Sequence, residues 1–180
     1  MIIKNAKIFL AESGSFEKLD IRTENGKIAE IAKNIPQGSE EVLDVAGCFV
    51  TPGLIEAHSH IGMYEEGIQW EGDDICENEP VTPEMRSIDS LFPGDMAFDD
   101  ALTGGVTTMC TGFGSGGVVA GTAVIVENNG SLVADDIVIV PDAGMKCAFG
   151  ENPRDFGRKE NSRTQEPRLH SFSENACKMQ

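Results

Sequence analysis

The first fifty residues alternate apolar and polar side chains, the period of two that is typical of strands with one buried face. Three runs carry the strand pattern: IIKNAKIFL, LDIRT and KIAEIA. Asn25-Gly26 lies between the last two runs and predicts a hairpin turn. The run VLDVAGCFV predicts a second tight strand pair, which turns near Ala46-Gly47. We therefore expect a sheet over residues 1–50.

The pattern changes at Thr51-Pro52-Gly53, where proline and glycine interrupt the sheet. LIEAHSH follows as a short strand. Residues 61–93 then show no sustained period, as is typical of a functional or a disordered loop. The segment from Asp95 to Leu102 predicts a helix, because apolar side chains recur four residues apart.

The run VTTMCT comes after this helix and predicts a strand that is parallel to LIEAHSH, because strand, helix and strand form one βα unit. Further strands are predicted at GTAVIVE, IVIV and MKCAF. After Glu151 the pattern ends, and no period is visible in the last thirty residues. The expected fold class is α/β.

The composition narrows the classes of partner that the protein is expected to bind. The 180 residues carry a formal net charge of -16, which argues against nucleic acid and against an anionic membrane surface as partners. Twelve acidic residues and a single basic one, Arg86, lie between residues 61 and 100. This stretch is either a solvated face or a rim that attracts cations.

The five cysteines are scattered and form no CxxC pair, so we expect reduced thiols in a cytoplasmic protein. Lys4 and Lys7 interrupt the apolar N-terminal run, which argues against a signal peptide. No run approaches the ~18 apolar residues of a membrane span.

His58-Ser59-His60 lies at the end of the strand LIEAHSH. Side chains alternate across a strand, so both imidazoles should point to one side while Ser59 points to the other. Two imidazoles ~6–7 Å apart along a strand can converge on one metal ion. The pair therefore predicts a metal site, although two exposed histidines at this spacing also occur by chance.

The run GFGSGG at residues 112–117 follows a strand and fits the G-x-G-x-x-G pattern of dinucleotide-binding folds. Such a fold needs a helix that begins at the third glycine. The following residues, VVAGTAVIVE, are β-branched and are a poor helix. The alternative is a loop whose glycines allow close approach to a substrate.

A longer set of motifs resembles the amidohydrolase superfamily, and in particular its imidazolonepropionase-like subgroup. The motifs are VLDVAGCFVTPGLIEAHSHIG, EGDD, PVTPEMRSID, ALTGGVTTMCTGFGS and AFGENP, and they cover residues 1 to about 155 in order. The resemblance implies a (β/α)₈ barrel flanked by a small β-sandwich. It also implies a hydrolase of C–N bonds in cyclic amides, amidines or dipeptide-like small molecules, with water activated by a divalent metal, most commonly zinc.

The resemblance implies that His58 and His60 are the first metal ligands. It further implies a bridging ligand, either a carboxylated lysine or a glutamate, and Lys146 and Glu151 both compete for this role. In MKCAFGE, Lys146 lies near the start of the strand and Glu151 just past its end, where barrel enzymes gather their chemistry. This favours Glu151, whose alternative role is to decorate a loop before Pro153.

The resemblance places two further histidine ligands and the catalytic aspartate on later strands. A complete barrel needs about 250 residues, so we expect an incomplete copy, from a truncated or frame-shifted gene, that is inactive in isolation. His170 is expected to be a surface residue. The expected domains are residues 1–50 (part of the sandwich), 51–155 (first portion of the barrel) and 156–180 (irregular tail).

The alternative is a non-catalytic domain that binds metal weakly or not at all. In either case an incomplete barrel would leave a parallel sheet with open edges, which invite other chains. We therefore expect the isolated chain to be oligomeric, aggregation-prone or partly molten.

Overall fold

The computed structural model describes residues 1–67 and 79–154. It divides the chain into two compact units, Met1–Pro52 and a second unit that begins at Gly53. The EGDD motif, the tail at 156–180 and His170 lie outside the described residues. The described architecture is mixed α/β and consists mostly of sheet. Of the helices in the described ranges, none is long and apolar enough to cross a membrane.

The first unit is one sheet in the order β3-β2-β1-β4, with β5 also paired to β1. Its strands are β1 (Ile2–Leu10), β2 (Ser15–Glu24), β3 (Lys27–Ala32), β4 (Val42–Asp44) and β5 (Phe49–Val50). β1, β2 and β3 pair antiparallel. Asn25 and Gly26 have φ angles of 52° and 71°, so the predicted hairpin turn is confirmed.

The predicted second strand pair is wrong. β4 and β5 do not pair with each other, because each pairs in parallel with β1, at Ile2–Lys4 and at Lys7–Ile8 respectively. Ala46 and Gly47, with φ angles of 47° and 86°, do turn the chain between them. The turn carries the chain past an irregular stretch of β1 rather than closing a hairpin.

Alternation along β1 places one set of side chains in the core of this unit. Ala6 and Ile8 are buried together with Ile21 of β2, while Lys7 is exposed. The predicted buried face is therefore present.

The second unit contains a four-stranded sheet in the order β6-β7-β8-β9. Its elements are β6 (Leu54–Ser59), α1 (Ser87–Ser90), α2 (Met96–Thr103), β7 (Val106–Thr111), β8 (Val119–Glu127), α3 (Ala134–Ile137) and β9 (Val138–Cys147). β6 and β7 are parallel, which confirms the predicted βα unit. The core is formed where α2 packs on the central strands, and its buried members include Phe98, Met109 and Val124.

The helix α2 begins one residue later than expected, because Asp95 is its N-cap and accepts a hydrogen bond from Ala97 N at 3.1 Å. The other carboxylate oxygen of Asp95 accepts from Gly62 N at 3.0 Å. Asp95 is 2% exposed. At this position, the acidic 61–100 stretch contributes a structural cap rather than a rim for cations.

The expected all-parallel sheet is wrong, because β8 and β9 pair antiparallel. Only residues 112–118 lie between β7 and β8, and a parallel crossover needs a dozen or more residues. The predicted runs IVIV and MKCAF also form one strand, β9, rather than two. Pro141 lies within it and is tolerated because β9 is an edge strand.

Candidate metal centre

The chain direction brings three strand ends to one edge of the second sheet. β6 and β7 are parallel, and two antiparallel pairings return β9 to the same direction. The ends of β6, β7 and β9 therefore lie together, and so do the glycine-rich loop at 112–117 and the start of β8. Side chains at these ends are the ones that can converge.

His58 and His60 lie at this edge with their ring centroids 5.2 Å apart and their planes at 78°. His58 is exposed and His60 is partly buried. Their position two residues apart at a strand end places both imidazoles side by side, as expected from the alternation of the strand. Their role as metal ligands stays a prediction.

The ring of His60 is oriented by the end of β7. Its Nδ1 atom lies 2.6 Å from the carbonyl oxygen of Gly112. A carbonyl only accepts, so Nδ1 carries the hydrogen and the neutral ring keeps its lone pair on Nε2. Metal-binding histidines are usually oriented in this way, by a hydrogen bond that the other ring nitrogen donates to a carbonyl, a carboxylate or water.

The ring of His58 faces Lys146, whose Nζ lies 3.4 Å from His58 Nε2. An ammonium group only donates, so Nε2 accepts here and also carries a lone pair. The positive charge of Lys146 lowers the pKa of His58, with smaller contributions from burial and from His60, while Glu56 opposes them. A lowered pKa favours the neutral imidazole that binds metals.

The contact between His58 and Lys146 also reports the shape of the sheet. β6 and β9 are its two edge strands, and three strand spacings in a flat sheet would separate them by ~14 Å. Side chains from both edges nevertheless meet. Because side chains stand roughly perpendicular to a sheet, this contact indicates that the two edges bend toward each other.

The expected position of Lys146 is wrong, and the error changes the comparison with Glu151. Because β9 runs unbroken from Val138 to Cys147, Lys146 lies at its end rather than near a strand start. The structure brings Lys146 to the histidines. Glu151 instead forms an ion pair with Arg154 at 3.3 Å, and 79% of its side chain is exposed.

Over residues 1–67 and 79–154, no group of three or more His, Cys, Asp or Glu side chains is arranged to hold a metal. Two imidazoles alone would supply two of the three or four protein ligands usual for zinc. The metal role of Glu151 stays a prediction.

A cavity of about 350 Å³ opens beside His60. It is lined by His60, Ile61, Tyr64, Glu66 and Ala97. Its volume is that of a small-molecule pocket, and it adjoins one of the two histidines. The sequence pattern did not predict this cavity, because one lining residue, Ala97, belongs to α2 and is distant in sequence from His60.

The loop at 112–117 does not have the dinucleotide-binding structure. It leads into the strand β8 and not into a helix, so no helix N-terminus is available for a pyrophosphate. A Cβ added at Gly112 would lie 3.1 Å from Ala123 Cβ and 3.2 Å from Ser87 Oγ. Glycine is needed there because of close packing.

Three comparisons place these observations among known proteins, although no family model matches the chain. The chain is 29% identical over 163 residues to the amidohydrolase tasK of Hapsidospora irregularis, which covers 82% of this chain. It is 40% identical over 60 residues to a dihydroorotase of Carboxydothermus hydrogenoformans, which covers 33% of this chain. An amidohydrolase from Thermotoga maritima superposes with a TM-score of 0.81 and 34% identity over 89% of this chain.

These relatives support the resemblance of the chain to the amidohydrolase superfamily. They are hydrolases that act on C–N bonds. The chain spans 16% of the tasK protein, 14% of the dihydroorotase and 42% of the Thermotoga amidohydrolase. The imidazolonepropionase-like subgroup stays a prediction.

Three features of the site were not foreseen: the carbonyl of Gly112, the buried hydroxyl of Thr111, and the reach of Lys146 to His58. The first two belong to backbone and hydrogen-bond geometry, which sequence patterns do not encode. A single strand across Pro141 would have placed Lys146 correctly. The sequence argued against it, because Pro141, Asp142 and Gly144 are residue types that are depleted in strands.

Proposed function

We propose that this chain forms the first part of a metal-dependent hydrolase of C–N bonds, with His58 and His60 as ligands of a divalent ion, zinc first. The observation that carries the proposal is the paired geometry of the two rings. Both present an Nε2 lone pair at the same strand end, one facing Lys146 and the other fixed by Gly112. Substrates of the proposed enzyme are small cyclic amides, amidines or dipeptide-like molecules.

Lys146 is the better candidate for the bridging ligand that the resemblance implies. Its Nζ lies 3.4 Å from His58 Nε2, whereas the carboxylate of Glu151 pairs with Arg154. A free ammonium cannot bind a cation, but a carboxylated lysine offers two oxygens. The later histidines and the catalytic aspartate are not assigned to residues of this chain.

When bound, the metal would supply hydroxide near neutrality, because it lowers the pKa of a bound water from 15.7 to roughly 7. The residues of this chain would hold the metal ion and orient the groups around it. His58 and His60 present their Nε2 atoms, Gly112 fixes one ring, and the cavity beside His60 admits part of a small molecule.

The proposed architecture is a (β/α)₈ barrel of which β6, α2 and β7 are the first strand, helix and second strand. The curvature of the sheet and the superposition on the Thermotoga amidohydrolase support it. The first unit would be part of the flanking β-sandwich. The three described cysteines are free thiols, which supports a reducing, cytoplasmic location.

The test is metal binding by purified, tag-free protein. We expect wild-type chain to bind Zn²⁺ or Co²⁺ weakly, and His58→Ala with His60→Ala to lose that binding. Lys146→Met should weaken it more than Glu151→Gln does, because a carboxylated Lys146 would supply ligand oxygens beside His58. Elemental analysis and Co²⁺ absorption spectra measure both effects.

His170→Ala is the matched control, because it removes the remaining histidine of the chain and leaves the pair intact. Equal metal content in wild type and in the double variant would contradict the proposal and favour a non-catalytic domain. Stronger loss with Glu151→Gln than with Lys146→Met would return the bridging role to Glu151. We expect no hydrolysis by the 180-residue chain alone.

A further inference from the structure

The ends of β6 and β7 are tied together around the histidine pair. Four hydrogen bonds join them: Ser59 Oγ to Cys110 O at 3.2 Å, Gly112 N to Ser59 O at 3.2 Å, His60 Nδ1 to Gly112 O at 2.6 Å, and Thr111 Oγ1 to Ile61 O at 2.7 Å. His60 is thus held on its ring and on both neighbouring residues. His58 is held differently: its ring contacts Lys146 at 3.4 Å, and its backbone N donates to Glu56 Oε1 at 2.9 Å.

Thr111 fixes the backbone that follows His60. It is 1% exposed and its hydroxyl donates to Ile61 O. A buried hydroxyl that lost this acceptor would be left without a hydrogen-bond partner, which is unfavourable, so the bond should be maintained. The hydroxyl therefore keeps residues 60 and 61 against the end of β7.

Gly112 fixes the ring itself. Its carbonyl accepts from Nδ1, and the residue packs closely on its neighbours, since an added Cβ would lie 3.1 Å from Ala123 Cβ and 3.2 Å from Ser87 Oγ. Ala123 belongs to β8 and Ser87 to α1. Close packing against these two elements, together with the bond from Gly112 N to Ser59 O at 3.2 Å, restricts movement of Gly112 away from His60.

We infer that Thr111 and Gly112 are positioning residues for His60: they hold its ring in the tautomer with hydrogen on Nδ1 and leave Nε2 as the metal-binding atom. The inference rests on the proposed function for its purpose. The orientation of the ring, however, is a property of the metal-free chain and can be measured there.

The first experiment is ¹⁵N NMR of the histidine side chains of metal-free protein near pH 8.5, about two units above an ordinary histidine pKa. His60→Gln identifies the signals of His60. We expect a protonated Nδ1 and an unprotonated Nε2. A predominant Nε2–H tautomer in wild type would overturn the inference without any variant.

The second experiment compares Thr111→Val with Thr111→Ser. Valine keeps the shape and removes the hydroxyl, so His60 should become a mixture of tautomers and Co²⁺ affinity should fall about 10- to 100-fold. Serine keeps the hydroxyl and should restore both. Thr122→Val is the control, because the hydroxyl of Thr122 bonds Asp142 at an exposed site on β8.

Two results separate this inference from the proposed function. An Nδ1–H tautomer that Thr111→Val disturbs, in a chain that binds no metal, would support the positioning and refute the metal site. The opposite result has two parts: metal binding is lost when His58 and His60 are both replaced, but Thr111→Val changes neither metal binding nor the tautomer of His60. That result would support the metal site and refute the positioning role.

Discussion

Asp20 in the first unit and the histidine pair in the second are both clusters of ionisable groups, yet they are built in opposite ways. Asp20 is 6% exposed. Its carboxylate accepts from Asn5 N at 3.0 Å, from Lys4 Nζ at 2.9 Å and from Ile35 N at 3.0 Å. Its acceptor capacity is used within the fold.

At the end of β6, by contrast, the exposed imidazole of His58 accepts from Lys146 at 3.4 Å, and the partly buried imidazole of His60 is oriented through Nδ1, which leaves the lone pair on Nε2 for a ligand. A buried carboxylate with three donors stabilises structure, because leaving them without an acceptor would be costly. Oriented lone pairs at an accessible edge are suited to a ligand. The contrast teaches that structural and functional groups differ less in residue type than in how much of their hydrogen-bonding capacity is used within the fold.

The largest expected effect is at Asp20. Asp20→Ala removes the acceptor of two backbone N–H groups and the partner of Lys4, so we expect a loss of about 3 kcal/mol in the free energy of unfolding. Urea unfolding followed by circular dichroism measures it. Metal binding at His58 and His60 should not change, since Asp20 belongs to the first unit.

The pH dependence provides the control for Asp20. Burial raises its pKa, but hydrogen bonds from Asn5, Lys4 and Ile35 outweigh burial and leave the pKa below the ordinary 3.8. Its contribution is therefore complete above pH 3.8 and is lost as the pH falls further. The stability difference between wild type and Asp20→Asn should shrink in that acidic range, and a constant difference would contradict this account.

A smaller effect is expected at Gly62, which joins the histidine strand to the core. Its φ is +78°, and an added Cβ would lie 2.9 Å from Leu91 Cδ1 and 3.0 Å from Phe98 Cε2. Gly62→Ala should cost about 2 kcal/mol of unfolding free energy and weaken Co²⁺ binding, because it strains the chain two residues after His60.

Gly130→Ala is the matched control for Gly62. Gly130 has a φ of +81° but nothing within 4 Å of an added Cβ, so it reports backbone strain without crowding. Equal destabilisation by the two variants would show that the contacts with Leu91 and Phe98 do not matter. An unchanged metal affinity in Gly62→Ala would show that the histidines are insensitive to this turn.

The smallest effect on stability is expected at the sheet edge, where it should appear as association. Ile55 of β6 is 74% exposed and Ile139 of β9 is 53% exposed. Edge strands with exposed apolar side chains invite other chains. We expect the wild-type chain to associate with rising concentration and Ile55→Lys to reduce its mean mass in light scattering.

Lysine at position 55 should leave the unfolding free energy within about 0.5 kcal/mol, as is usual for surface substitutions. Glu17→Gln, at an exposed position of β2, changes the charge of the chain by the same amount and serves as control. A monodisperse wild-type monomer would contradict the expectation. Equal reductions in both variants would assign association to net charge rather than to β6.

The sequence by itself determined most of the local structure. Asn25-Gly26 fixed the hairpin, because consecutive positive φ angles suit few other residue pairs. The spacing of His58 and His60 brought their rings together, because alternation along a strand is a local property. The helix α2 and the parallel βα unit were also predicted from the order of local patterns, although the helix begins one residue later than expected.

Only the tertiary structure decided which distant groups meet. The pairing of β4 and β5 with β1, the return of β9 to the histidine edge, and the contact of Lys146 with His58 all depend on sheet order and curvature. The carbonyl of Gly112 reaches His60 for the same reason. Hydrogen bonds between strands and the curvature of a sheet join residues forty or more positions apart, and no period along the chain records such contacts.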